Sequence, residues 1–434
     1  MSRLLHDGHW IMTDMPQRGM ESPSFGKTSR RRFLKGATAL GAAAPAFASA
    51  PQSHSDSAHH PIFAYVGSYS LPQGPDGSVG RGQGIYVFEM NPATGSLVQR
   101  EVIRRDTNPS FMAFDSSRQH LYSVNWISNY QGQNSGSVSA YAIDRASGHL
   151  SLLNTVSSEG ANPTHLSIHP SGKFVFVASY FGGTVAVLPI LASGELGPAT
   201  DVVHDQGAVG PQHAASAPPG SFAISGHDKP HAHMVLSDAA GRFVLAADLG
   251  LDRILIWKFD AEKGKLIPND PPSVALPAGD GPRHFAFHPS GHWFYSLQEE
   301  GSTVAAFDYD SAQGRLTAKQ TVSSLPKGFA GSNFPAEVMI SGDGKFLYAS
   351  NRLHDSVAWF SISATGTLAW GGEEWTRGDH PRAFNFDPSG NFFYVCNQFA
   401  DALTTFRRDR KTGALTFTGQ YTPVGSPASI IFLA

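Results

Sequence analysis

From residue 62 onward the chain is built of short runs in which apolar residues fall at every second position. Ile85–Met90 (IYVFEM) and the 184–190 run (TVAVLPI) are examples. Alternation of that period predicts strands with one buried face, and the runs are too short and too regular for helices. A small signature closes many of them: TGSL (94–97), SGHL (147–150), SGEL (193–196), KGKL (263–266), QGRL (313–316), TGTL (365–368) and TGAL (412–415). Each glycine sits between two strand-like runs, where a tight hairpin needs positive φ. A proline precedes most units, at Pro109, Pro163, Pro230, Pro282, Pro335, Pro381 and Pro427. After it come a strand, a turn such as HPSG (169–172, 288–291) or DPSG (387–390), and a second strand.

Each unit therefore predicts four strands, A after the proline, B after the turn, C before Gly-x-Leu and D after it. Units of four strands repeated at this period form a β-propeller, and seven hairpins predict seven blades. The first run, IFAYVGSY (62–69), lacks its own strand A, while ASIIFL after Pro427 is a strand A with no unit of its own. The last strand is expected to join the first blade, closing the ring and removing its open edges. The fold class is all-β, with one propeller domain over residues 51–434.

Topology also sorts the polar residues. A and B run antiparallel, so the start of A and the end of B share one face of the disc. Starts of A carry His231 and His233, Arg283 and His284, Glu337, Arg382, and in blade 3 Thr164 and His165. Ends of B carry Asp248, Glu299 and Glu300, Asn351 with Arg352, His354 and Asp355, and Asn397, with Trp126 and Tyr180 on the same edge. The A–B turns carry Pro, Ser and Gly, and His169 and His288 there are read as structural. One face thus gathers His, Arg and Glu around the channel mouth. A long insertion, HDQGAVGPQHAASAPPGSFAISGHD (204–228), joins D of blade 3 to A of blade 4 on that face and could act as a lid.

Arg283 and Arg352 suit an anion or oxyanion, because a guanidinium offers a permanent forked charge. They suit equally an ion pair between blades, with Glu299 or Glu337. Glu299 is a candidate general base. His231 and His233 flank Ala232, so in a regular strand they share a face, and either could move a proton. His284, Glu337, Asn351, His354, Arg382 and Asp248 are the candidate substrate-binding set. Two histidines at i and i+2 also fit a metal, but no third ligand stands at a matching spacing, so no metal is assigned.

Composition narrows the picture. The net charge is -3 and no basic stripe runs along the chain, which argues against a nucleic-acid partner. Cys396 is the sole cysteine, so no internal disulfide or cysteine-based metal centre forms. It lies within FFYVCN and reads as a small buried hydrophobe. The N-terminal part differs from the rest. Ser29-Arg30-Arg31-Arg32-Phe33-Leu34-Lys35 followed by ATALGAAAPAFA reads as a twin-arginine export signal, with cleavage expected near Ala48 or Ala50. Its apolar run is too short and too rich in Ala and Gly for a membrane span. The expected location is the periplasm or the exterior, reached through the twin-arginine machinery.

Three stretches carry a resemblance: PHAHMVLSDAAGRFVLAADLGLDRI (230–254), GPRHFAFHPSGHWFYSLQEEGSTVAAF (281–307) and AEVMISGDGKFLYASNRLHDSVAWF (336–360). They resemble the lactonase family of seven-bladed propellers, which includes propeller-type 6-phosphogluconolactonases and carboxy-muconate lactonizing enzymes. The resemblance extends over 62–434. It implies a lactone substrate, no cofactor, no metal, and a site using His231 or His233, Arg283, Glu299 and Arg352. The chain departs from the family where Gln298-Glu299-Glu300 replaces the more usual Asn-Glu-Leu. Export favours unphosphorylated sugar lactones, since phosphorylated ones are cytoplasmic. In the mechanism this implies, Glu299 or a histidine activates water and the arginines stabilise the oxyanion. Other classes stay open: an exported propeller that binds a carbohydrate, peptide or protein without turnover, a calcium-dependent gluconolactonase-like hydrolase, or a quinone-dependent dehydrogenase.

Overall fold

Each apolar run becomes a strand. The computed structural model describes residues 61–224 and 226–434; the segment read as an export signal, with its expected cleavage sites, lies outside the described residues. Among the described residues twenty-eight strands form seven antiparallel sheets of four. Strand A is Pro427–Leu433 in blade 1, then Pro109–Phe114, Pro163–Ile168, Ala232–Ser237, Pro282–Phe287, Pro335–Ile340 and Pro381–Phe386 in blades 2 to 7. Strand B is Ile62–Ser68 in blade 1, then His120–Asn125, Phe174–Ser179, Phe243–Asp248, Trp293–Gln298, Phe346–Asn351 and Phe392–Asn397. Neighbouring A strands touch all the way round, so they line the axis. The last strand pairs with the first, Tyr65 opposite Ile431, and the ring closes as expected. The single helical turn among the described residues is Pro75–Gly77, and no helix is long and apolar enough to cross a membrane.

The core lies between blades. Phe63, Tyr65 and Val87 of blade 1 pack on Leu121, Tyr141 and Leu150 of blade 2, and Phe392 and Tyr394 of blade 7 close on Ala64 and Val66. Cys396 is buried in that last cluster, as the sequence implied.

The Gly-x-Leu turns explain themselves here. All seven glycines have φ between 64° and 83°. A Cβ at Gly366 would lie 2.5 Å from the Trp293 ring of the preceding blade, and the other six meet a ring at the start of the preceding strand B in the same way, five at its first residue and Gly148 at its second, Phe63. Each glycine carbonyl accepts a hydrogen bond from the preceding blade. Tyr65, Tyr122, Tyr295, Tyr348 and Tyr394 donate to Gly148, Gly194, Gly366, Gly413 and Gly95. Blades 3 and 4 have Phe176 and Leu245 at that strand-B position, and Thr200 and Asn269 donate to Gly264 and Gly314 instead. On the same face, away from the channel mouth, His169 and His288 of the A–B turns reach Gly241 and Gly344 of the next blade's A–B turn, the structural role assigned to them.

Strand A of blade 4 departs from the expected pattern. Its proline, Pro230, lies outside the strand, and the register pairs Ala232 with Asp248 where the next blade pairs Pro282 with Gln298. Every A strand also breaks register near its start, between Pro282 and His284 in blade 5 and between Ala232 and Met234 in blade 4. Such a bulge re-aims the residue it carries.

Tyr295→Phe is expected to cost about 1 kcal/mol through the lost bond to Gly366. Gly366→Ala is expected to cost more, roughly 2–4 kcal/mol from combined strain and overpacking. Chemical denaturation of the two variants beside the native protein checks both the sign and the order.

Candidate active site

In every blade the residue just after strand B folds back over the start of strand A. Its N–H donates to the carbonyl of the residue before that strand: Tyr69 to Ser426, Trp126 to Asn108, Tyr180 to Asn162, Leu249 to His231, Glu299 to Gly281, Arg352 to Phe334 and Gln398 to His380. This frame sets seven equivalent side chains around the mouth. Blades 1 to 3 contribute Tyr69, Trp126 and Tyr180, an aromatic half. Blades 5 to 7 contribute Glu299, Arg352 and Gln398, a polar half. The bulged positions beneath them are Ser110, Thr164, His233, Arg283 and Arg382 in blades 2, 3, 4, 5 and 7.

Charge is concentrated on the polar half. Glu299 Oε2 lies 2.8 Å from Arg283 Nε and 2.5 Å from Arg352 Nη2. Arg283 Nη1 also donates to Ala336 O at 2.5 Å. Arg352 Nη1 reaches Asp76 Oδ2 at 3.1 Å, which also lies 2.9 Å from Arg382 Nη1 and 3.4 Å from His380 Nε2. Three guanidinium groups thus face two carboxylates. Desolvation opposes the charge on Asp76, but Arg352, the His380 hydrogen bond and Arg382 hold its carboxyl well below the usual range. Burial and the charge of Arg352 push Arg283 down to about 10, still a cation at neutral pH.

Deeper in the channel the histidines are neutral. Burial, then Arg283 and His284, hold His233 well below the ordinary imidazole range. Burial with Arg283 and Arg382 does the same to His284. Burial pushes His380 down to about 4 against the pull of Asp76. His233 Nδ1 and His284 Nε2 are buried without a hydrogen-bond partner. The rings of His233 and His284 lie 5.1 Å apart, and His284 Nδ1 is 2.9 Å from Glu337 Oε1. Burial raises Glu337 to about 8, outweighing Arg283 and the Val338 N–H, so it is mostly protonated at neutral pH. With these groups uncharged, the mouth carries one positive charge in excess.

The aromatic half is continuous. Tyr69 and Trp126 meet edge to face at 5.9 Å, Trp126 and Phe181 lie 6.3 Å apart, and Tyr180 contacts Phe181 at 5.1 Å. The guanidinium of Arg382 lies 5.4 Å over the Tyr69 ring and joins the two halves.

Of the residues singled out in the sequence, the structure brings Arg283, Glu299, Arg352, Arg382, His233, His284 and Glu337 together. It places four elsewhere. His231 stacks on Tyr180 at 4.1 Å, with Nδ1 2.9 Å from Tyr180 O and Nε2 2.7 Å from Asp228 Oδ1. The bulge at His233 breaks the strand parity that would have set both histidines on one face. Asp248 and Asn351 end their B strands pointing into the blade. Asp248 Oδ1 accepts the N–H groups of His231 and Leu251. Asn351 binds Ser324 O and Ser356 Oγ. His354 bonds Ser356 Oγ at 2.8 Å and packs on Phe329. Sequence reasoning missed Asp76, His380, Tyr69 and Gln398. The sign for Tyr69 and Gln398 was present, since both follow strand B as Glu299 does. Among the described residues no three His, Cys, Asp or Glu side chains are grouped to hold a metal ion.

Comparisons with known proteins agree with the fold. The family model described as "Lactonase, 7-bladed beta-propeller" matches residues 63–432. A 6-phosphogluconolactonase of Bacillus subtilis is 32% identical, over 85% of this chain and 97% of that relative. One from Formosa agariphila is 31% identical, over 80% and 95%. The solved structure of a periplasmic gluconolactonase from Pseudomonas aeruginosa superposes with a TM-score of 0.76 at 31% identity, covering 86% of this chain and 99% of that one.

Folded Glu337 keeps its proton to about pH 8, while in the unfolded chain it ionises near the ordinary value. Its contribution to stability is therefore full below about pH 4.3 and lost as pH rises through 8. Glu337→Gln is expected to flatten the fall in melting temperature across that window and to melt above the native protein at pH 8.5. A pH series of thermal melts reads this directly.

Proposed function

Since the chain belongs to the lactonase family of seven-bladed β-propellers, we propose that it hydrolyses an unphosphorylated sugar lactone at the mouth of the channel, without a metal. The observation that carries this reading is the convergence of Arg283 and Arg352 on one oxygen of Glu299, beside neutral imidazoles in a mouth with an excess of positive charge. Lactone opening creates negative charge on the carbonyl oxygen, then on a product carboxylate. Fixed cations that need no reorganisation favour both.

In the proposed mechanism Glu299 holds the two guanidinium groups in place and Arg283 and Arg352 polarise the carbonyl. His233 is the base, through its unpartnered Nδ1. A water oxygen bonds to the carbonyl carbon as its proton passes to His233. The ring C–O bond then breaks, and the imidazolium returns the proton to the ring oxygen, which leaves a hydroxy acid. An imidazole this weakly basic accepts the proton only as the water bonds to carbon, and gives it back readily. The sugar ring's C–H face would rest on Trp126 and Tyr180, with its polar edges toward Gln398 and Arg382.

The export reading of Ser29–Lys35 supports an unphosphorylated substrate, and the periplasmic gluconolactonase is a precedent in a similar fold. The test is acid release from glucono-1,5-lactone and from 6-phosphogluconolactone, with and without chelator and corrected for spontaneous opening. Preference for the first, undiminished by chelator, is the expected result; loss of activity in chelator would overturn the metal-free mechanism, and preference for the second the substrate assignment. Arg283→Lys retains a cation and the fold while losing the fork. It is expected to lower kcat/KM by roughly 100-fold, and unchanged kinetics would remove Arg283 from the site.

A further inference from the structure

The insertion between Asp201–His204 and Ala232–Ser237 is tied to the loops of blades 4, 5 and 6 as a strap. Gly210 N–H donates to Gly250 O in blade 4 at 2.9 Å, and Ser216 Oγ donates to Asp280 before blade 5. Before blade 6, Gly331 N–H donates to Pro219 O at 2.8 Å and Phe222 N–H to Ser332 Oγ at 2.9 Å. The strap then folds back to blade 4, where His227 is sealed from solvent.

His227 is held on both sides. Its Nε2 lies 3.0 Å from Asp252 Oδ1 and its Nδ1 2.8 Å from Glu300 Oε2. Asp252 also accepts the N–H of Gly281 at 2.9 Å and of Gly279 at 2.7 Å. Gly281 stands two residues before Arg283, and its carbonyl accepts the Glu299 N–H at 2.7 Å. Glu300 follows Glu299 directly, and its N–H donates to Asp280 O at 3.1 Å. From one imidazole, then, a single step reaches the segment that bears Arg283 and another reaches the segment that bears Glu299.

We propose that His227 is a positioning residue for the reaction: it ties the strap to both segments and sets how Arg283 and Glu299 face each other. This rests on the reading of the mouth as the lactone site. The charged groups facing His227 are Asp252 and Glu300, with Asp280 beyond them. Two carboxylates require both ring nitrogens to donate, so the residue acts as an imidazolium. Burial opposes that charge, but the bonds to Asp252 and Glu300 raise His227 to about 9. The anchor is therefore complete below about pH 6.5 and is lost as pH rises through 9.

The experiment compares the native protein with His227→Gln, Glu300→Gln and the double variant, reading hydrogen–deuterium exchange and glucono-1,5-lactone turnover. Faster exchange at the Gly281 and Glu299 amides is expected in each variant. With it, kcat should fall roughly 10- to 100-fold while KM changes little, because a misplacement near 1 Å has that effect. The double variant should be no slower than the slower single one, since both act through one connection. Phe222→Ser, at the 80%-exposed strap tip, should leave turnover unchanged. Native exchange and native kcat in His227→Gln would overturn the proposal. If the amides loosen but the native protein opens no lactone, the positioning stands and the lactonase reading falls. If His227→Gln does not fold, the native protein decides: after correction for intrinsic rates, those two amides must loosen as pH passes about 9, and unchanged protection there would overturn the proposal.

Discussion

The docking of each Gly-x-Leu turn against strand B of the blade before it is the contact on which everything else rests. Three demands meet at one residue: a left-handed backbone, a carbonyl turned toward the neighbouring blade, and no side chain where an aromatic or imidazole ring already lies. Only glycine meets them together. Seven such contacts, with the last strand seated in the first blade, leave no free blade face and no loose end in the ring. Groups at the mouth are then fixed by a frame that closes on itself, and a frame of that kind can hold three guanidinium groups within reach of two carboxylates.

On this repeated frame chemistry arises from substitution at equivalent places. The residue after strand B is made by the same backbone hydrogen bond in all seven blades, yet it is aromatic in three consecutive blades and polar in another three. Asymmetry of the site is a matter of side chains, since the backbone treats every blade alike. Burial sharpens it. The same low-dielectric surroundings that keep His233 and His284 neutral strengthen the field of the arginines around them.

Much of this was legible in the sequence because strands and hairpins are local. Alternation marks a strand within six residues, and Gly-x-Leu marks a turn within four, so the number of blades followed. Arg283, Glu299, Arg352 and Arg382 could be grouped because antiparallel pairing alone puts their strand ends on one edge. Failures came where a local rule was broken. The bulge in blade 4 separated His231 from His233, and Pro230 sits ahead of its strand, so parity counted from that proline misleads. Asn351 and Asp248 occupy the last strand position, which faces into the blade, while the next residue faces the mouth. Asp76 lies in the Gly- and Pro-rich loop LPQGPDGSVGRG of blade 1, where no periodicity exists, and reaches Arg382 in the adjoining blade 7 and Arg352 in blade 6. Nothing in its neighbours along the chain announces that contact.

The pairing of Pro427–Leu433 with Ile62–Ser68 has a consequence for the order of events in synthesis. Blade 1 is begun before any other blade and finished after all of them, because its axial strand follows blade 7 in the chain. Until then Phe63, Tyr65 and Val66 have an unfilled partner, and the nascent chain is an open arc with a sticky edge. The ring can therefore close only after all seven blades have been made.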